Sequence, residues 1–250
     1  MLLHGLGDSA DLWRNQVAAL SARHRVITVD LRGHGQSPSG GPDFGVSDMA
    51  DDVRATLADL DVDQVALVGL SMGGGVAQDL TIRYPELVRS LVLVSTSSEF
   101  PEATHRRFIE RAERAERGGM AGVIDETVPR WFTPGFTEAH PEEVERTRRG
   151  VLAIDPGAFA AASRANAVRR FTDDLPAIGC PVLFIGGAQD PADPRRAIGI
   201  YRQGLRDFRA ELIPDASHLV PVEAPAAFND IVLRFLAEVE PEPTSPGGVS

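Results

Sequence analysis

The amino-acid sequence predicts an α/β protein built on a mostly parallel, doubly wound sheet. Three observations carry that reading. Short β-branched runs recur along the chain, each nearly all apolar, as a strand buried on both faces should be. Helical patterns lie between them, and strand–helix alternation is the mark of a parallel sheet. A length of 250 residues is enough to bury a large core, as one domain or as a core with an insert.

The elements follow in order. Met1-Leu2-Leu3 reads as the last part of a strand cut short. Helices are expected over 11–22, 46–60, 72–84 and 194–205, and strands over 26–29, 65–68, 91–94, 182–185 and 210–213. From about residue 100 to 174 no strand signal occurs. That stretch is helical and charged, with Glu110 and Arg114, and Glu113 and Arg117, at i,i+4 spacing on what should be a solvated face. The expected division is a sheet core over 1–98 and 175–239, with a helical insert over 99–174. The Pro/Gly/Ser-rich stretch 240–250 is expected to be disordered.

Composition narrows the chemistry. The net charge of −11 argues against nucleic acid and other polyanionic partners. The sequence contains no lysine, which excludes a lysine Schiff base, a Walker-type phosphate lysine and a Ser-Lys dyad. Cys180 is the sole cysteine, so no intrachain disulfide can form, and a buried structural thiol is expected. No apolar run approaches the ~20 residues needed to span a bilayer, and the start lacks the basic region of a signal peptide. A cytoplasmic address with no membrane partner is the expectation.

Gly69-Leu70-Ser71-Met72-Gly73 is a G-x-S-x-G motif between an expected strand and an expected helix. In that setting the serine occupies a sharp, strained turn that exposes its hydroxyl at a helix N-terminus. Small residues are needed at 69 and 73 because neighbouring backbone approaches closely. A nucleophilic serine needs a base, and the base needs an orienting carboxylate. Asp190 follows the 182–185 strand, and His218 follows the 210–213 strand, in the order Ser, Asp, His. Asp193 lies further into its loop, and Asp215 is too close in sequence to His218 for an easy facing geometry. The oxyanion needs two backbone donors, expected from Met72 and from the loop His4-Gly5-Leu6-Gly7, with Leu6 the better candidate there. His4 is expected to hold that loop. No metal and no cofactor are implied. Gly5-Leu6-Gly7-Asp8-Ser9-Ala10 with Asp30 imitates a dinucleotide fingerprint, but that reading would leave the ordered Ser71, Asp190 and His218 a coincidence.

These segments together resemble the α/β-hydrolase superfamily: His4-Gly5-Leu6-Gly7, Trp13, the run from Asp30 to Ser37, Gly69 to Gly74, Tyr84-Pro85-Glu86 and Asp215-Ala216-Ser217-His218. Within it the chain is similar to 3-oxoadipate enol-lactonases. The pointers are Arg130-Trp131-Phe132-Thr133-Pro134 and Ile154 to Ala162, which resemble segments of the enol-lactonase helical cap (lid). The resemblance implies further strands before the His-Gly loop, which this chain lacks; a less covered sheet flank and poor solubility are therefore expected. A soluble monomer with a sharp melting transition would count against that.

The resemblance also implies hydrolysis of a lactone in aromatic-acid breakdown. The enol-lactone is a small anionic substrate, so a cation is expected in the pocket, and only arginine can supply it. Arg130 is the first candidate, with Arg32 and Arg164 as rivals, and Trp131 and Phe132 are expected to line the roof. Two alternatives stay open: another carboxylic-ester or carbon–carbon bond hydrolase on the same triad, and an inactive or ligand-binding member.

Overall fold

The computed structural model describes residues 1–41 and 43–239. The expected disordered stretch 240–250 lies outside the described residues. Among the described residues six strands form one sheet: β1 Leu2–Leu3, β2 Thr28–Val29, β3 Val65–Leu70, β4 Val88–Val94, β5 Val182–Gly187 and β6 Phe208–Ile213. Their order is β2-β1-β3-β4-β5-β6, and every pair is parallel.

Helices connect the strands. α1 (Arg14–Leu20) follows a tight 3₁₀ turn, where one helix over 11–22 was expected. α2 (Val46–Asp59) and α3 (Met72–Arg83) flank β3. Between β4 and β5 come α4 (Glu102–Gly118), α5 (Ala121–Thr127), α6 (Pro134–Ala139), α7 (Pro141–Leu152) and α8 (Pro156–Ala167). α9 (Pro194–Gly204) joins β5 to β6, and α10 (Val220–Glu223) and α11 (Pro225–Val239) complete the described chain. No helix among the described residues is long and apolar enough to cross a membrane.

The strands differ from expectation at their ends. β3 and β5 run on through Gly69-Leu70 and Gly186-Gly187, because parallel neighbours pair with that backbone whatever the side chain. The strand expected over 26–29 shrinks to Thr28–Val29, half-buried at one edge of the sheet. β6 is the other edge. Its Arg209 and Glu211 face outward to Glu238 and Arg234 of α11, so full burial fails there. In α4 the Glu113–Arg117 pair forms, but Arg114 turns away from Glu110 to meet Glu126 at 2.7 Å. Cys180 is partly buried against the core, and burial pushes its thiol up to about 11, which keeps it protonated and inert.

Apolar side chains from both helical layers meet the sheet in one continuous core. Trp13 is fully buried in it, with its ring 6.1 Å from that of Phe228. Trp13→Ala removes the largest side chain of that layer. The expected loss is about 3–5 kcal/mol of unfolding free energy, read as a lower urea midpoint with an unchanged slope.

Candidate active site

Ser71 sits where β3 ends and α3 begins, with φ 53° and ψ −107°. A non-glycine residue in that region is strained and persists only when its surroundings over-determine it. The surroundings do so here. The Ser71 N–H donates to the Val94 carbonyl at 2.9 Å. Its carbonyl accepts from the Thr96 hydroxyl at 2.7 Å, the Arg169 guanidinium at 3.0 Å and the Gly75 N–H at 3.2 Å. A Cβ on Gly69 would come within 2.4 Å of the Gly73 carbonyl oxygen. A Cβ on Gly73 would come within 2.5 Å of the carbonyl oxygens of Leu3 and His4. Both positions must therefore be glycine, as the motif implies.

The carboxyl end of β5 leads to Asp190, whose side chain is almost wholly buried. One carboxylate oxygen accepts the Ala192 N–H at 2.8 Å, and the other meets His218 Nδ1 at 2.7 Å. Asp193 is used differently. It caps α9 by accepting the Arg196 N–H at 3.1 Å. With Nδ1 engaged by Asp190, Nε2 is the ring nitrogen of His218 left for a second partner, and His218 lines the same cavity as Ser71. No hydrogen bond joins the Ser71 hydroxyl to the imidazole in this geometry, among the described residues; in unliganded sites such bonds are often long.

That cavity holds about 240 Å³. Ser71, Leu6, Asp190 and His218 line it on the sheet side, and Arg111, Arg130 and Trp131 on the helical side. Met72 is buried at the first position of α3, where a helix leaves its leading N–H groups without internal acceptors. Phe132 is not among the lining residues; its ring stacks on Phe136, 5.3 Å away, and so packs the helical segment instead. The rival arginines are engaged elsewhere. Arg32 makes a two-pronged contact with Asp52, and Arg164 one with Glu116.

The loop carrying Leu6 is held by two buried histidines. His4 Nε2 accepts the Leu31 N–H at 2.9 Å, which leaves Nδ1 to donate to the Gly5 carbonyl at 2.8 Å. His34 Nε2 accepts the Gly7 N–H at 3.2 Å. Both rings must be neutral to accept, and burial drives their pKa values down, that of His4 to about 3. Asp30 is occupied by the Ala10 and Gln36 N–H groups at 2.7 and 3.0 Å, so the dinucleotide-like pattern is a loop brace. Asp8 of the same loop lines the cavity. Burial, with Asp11 and Asp30 adding to it, pushes its carboxyl up to about 7 against the Ser9 N–H and Arg14.

Two residues that the sequence reading passed over matter here. Arg169, buried and stacked 4.3 Å over Phe100, ties the helical segment to the back of Ser71; as one of two adjacent arginines it carries no local signal. Glu223 accepts the N–H of Ser217, next to His218, and both the N–H and hydroxyl of Thr133, at 2.7 and 2.9 Å. It thus fastens the histidine loop to the helical segment.

The model of the alpha/beta hydrolase family matches residues 1–231. A 3-oxoadipate enol-lactonase 2 of Acinetobacter baylyi is 31% identical over 229 residues, covering 92% of this chain and 85% of that protein. A thermophilic esterase from Thermogutta terrifontis, solved with malate bound, superposes with a TM-score of 0.91 at 31% identity, over 96% of this chain and 89% of its own. The enol-lactonase from Burkholderia xenovorans LB400 gives a TM-score of 0.89 at 29% identity, over 94% and 90%. Relatives at this distance differ in substrate.

His4 and Asp8 make opposite contributions to stability against pH. His4, lowered from 6.5 to about 3, contributes stability that is present above pH 6.5 and lost on acidification. Asp8, raised from 3.8 to about 7, contributes stability that is present below pH 3.8 and lost as pH rises through 7. Between pH 4.5 and 6.5 the two act in opposite directions. Relative to the unsubstituted protein, His4→Gln should lose stability as pH rises across that window, and Asp8→Asn should gain it. Urea titrations at both ends of the window check the signs.

Proposed function

The chain belongs to the alpha/beta hydrolase family, and from that premise we propose that it is a serine hydrolase opening a small carboxylic ester or lactone, with 3-oxoadipate enol-lactone as its substrate. The observation that carries the reading is the 2.7 Å contact between Asp190 and His218 at the rim of the cavity that holds the strained Ser71.

The mechanism we propose uses these residues in turn. His218 Nε2 takes the Ser71 proton, and Asp190 stabilises the imidazolium through Nδ1–H. The serine oxygen adds to the lactone carbonyl. The N–H groups of Leu6 and Met72 receive the oxyanion, each worth about 3 kcal/mol in comparable sites. Collapse breaks the ring C–O bond and expels an enolate, which accepts the proton now on His218. Conversion of the enol to the ketone removes the tethered nucleophile and makes ring opening one-way. A water deprotonated by His218 then attacks the acyl-serine, and the proton returns to Ser71 as the acid leaves.

Residues 99–174 act in this reading as a cap. Trp131 supplies part of the cavity wall, and its carbonyl accepts the Leu219 N–H at 3.1 Å, next to the base. Similarity to two enol-lactonases supports the lactone reading. The malate described in the Thermogutta esterase, a dicarboxylate, is in keeping with an anionic substrate.

A fluorophosphonate probe should label the protein, and Ser71→Ala should abolish labelling. Ser71→Ala and His218→Ala should each lower kcat on any ester or lactone by about 10³-fold or more. Labelling that persists in Ser71→Ala sinks the serine mechanism. On a substrate panel, enol-lactone should exceed neutral esters of equal size at least tenfold in kcat/KM; parity would remove the lactone assignment and leave the serine hydrolase.

A further inference from the structure

The charged groups of the cavity are unevenly satisfied. On the sheet side every acid has an occupation. Asp190 holds His218, and Asp193 caps α9. Glu99 faces Arg170 and Arg196 at 3.8 and 3.7 Å. Asp8 is pushed toward its neutral form by burial. On the helical side the position is reversed. Arg111 of α4 and Arg130, just after α5, both line the cavity, and neither side chain meets a carboxylate or any other acceptor among the described residues. The Nε of Arg111 is buried without a partner. Its guanidinium lies 5.6 Å from the Phe108 ring centroid.

A desolvated arginine without an acceptor is costly, and a second cation beside it raises the cost. Burial lowers the Arg111 pKa to about 10, and repulsion from Arg130, Arg114 and Arg107 acts in the same direction. Glu126 offsets part of this, but its carboxylate is already paired with Arg114 at 2.7 Å. Arginine at that pKa remains charged at neutral pH. Two like charges lining one small cavity form a receptor for an anion, and a guanidinium fork matches a carboxylate in shape and donor number.

We infer that Arg111 and Arg130 form a carboxylate-binding subsite at the helical end of the cavity, opposite Ser71. The substrate is then an acyl compound bearing a free carboxylate on the side remote from its scissile carbonyl. The subsite fixes which carbonyl reaches Ser71: the anionic end is drawn to the arginines, and the neutral ester or lactone end is left at the serine. This assignment rests on the serine-hydrolase reading for its meaning but not for its test.

Glutarate, a short dicarboxylate, is the probe, with its neutral diamide as the control. Isothermal titration calorimetry on the full chain should show glutarate binding and at least tenfold weaker binding of the diamide. Arg111→Met and Arg130→Met should each raise the glutarate Kd tenfold or more. Arg111→Lys, which keeps the charge and loses the fork, should fall between. Circular dichroism establishes that each variant is folded; if Arg111→Met is not, Arg130→Met and Arg111→Lys decide. Equal affinity for acid and diamide, or arginine variants that bind as tightly as the unsubstituted protein, overturns the subsite. Fluorophosphonate labelling of Ser71 is read separately, so a failed serine mechanism and a failed anion subsite give different results.

Discussion

Everything at this site depends on one strained residue. Ser71 is held at positive φ between a strand and a helix, a conformation that costs about 1–3 kcal/mol and that no side-chain preference favours. Three parts of the fold offset the strain. The sheet fixes the Ser71 N–H against β4, the glycines at 69 and 73 let backbone close on backbone, and Thr96 and Arg169 hold the carbonyl from behind. Because Arg169 lies after α8 and Thr96 just after β4, the turn is clamped by both ends of the helical segment. Ser71 and the wall of its cavity are thus one mechanical unit.

The electrostatic layout is built from burial more than from ion pairs. The surface pairs, such as Arg32 with Asp52 and Arg164 with Glu116, are solvent-exposed and contribute little. Inside, two neutral histidines order the Leu6 loop by accepting backbone N–H groups, which a charged imidazole cannot do. The absence of lysine matters here. Arginine resists deprotonation when desolvated, so the cations of the helical segment stay charged where a lysine would shift toward neutrality.

Much of the architecture was legible because it is written in local patterns. Apolar runs marked β3, β4 and β5, and helical periodicity marked α2, α3 and α9 to within a residue or two at most ends. The edge strands were less legible. β6 is half-exposed and β2 shrinks to two residues, since an edge has one neighbour and needs less apolar surface. In the helical segment the i,i+4 rule placed Arg117 on Glu113 but failed for Arg114, which found a better acceptor across a turn. Phe132, expected at the roof, stacks on Phe136 and does not line the cavity, a ring partner four residues on that only the fold of the segment brings into contact.

By itself the sequence determined the strand–helix alternation, the turn that carries Ser71 and the order in which an acid and a base follow it. Those are properties of short segments and of position along the chain, and backbone sterics and hydrophobic period act at that range. Only the tertiary structure decided that Asp190 rather than Asp193 meets His218, that Arg32 and Arg164 are engaged elsewhere, and that Arg111 shares a cavity with Arg130. Each of those depends on side chains from distant segments converging, and convergence is set by how the layers pack, which no local pattern records.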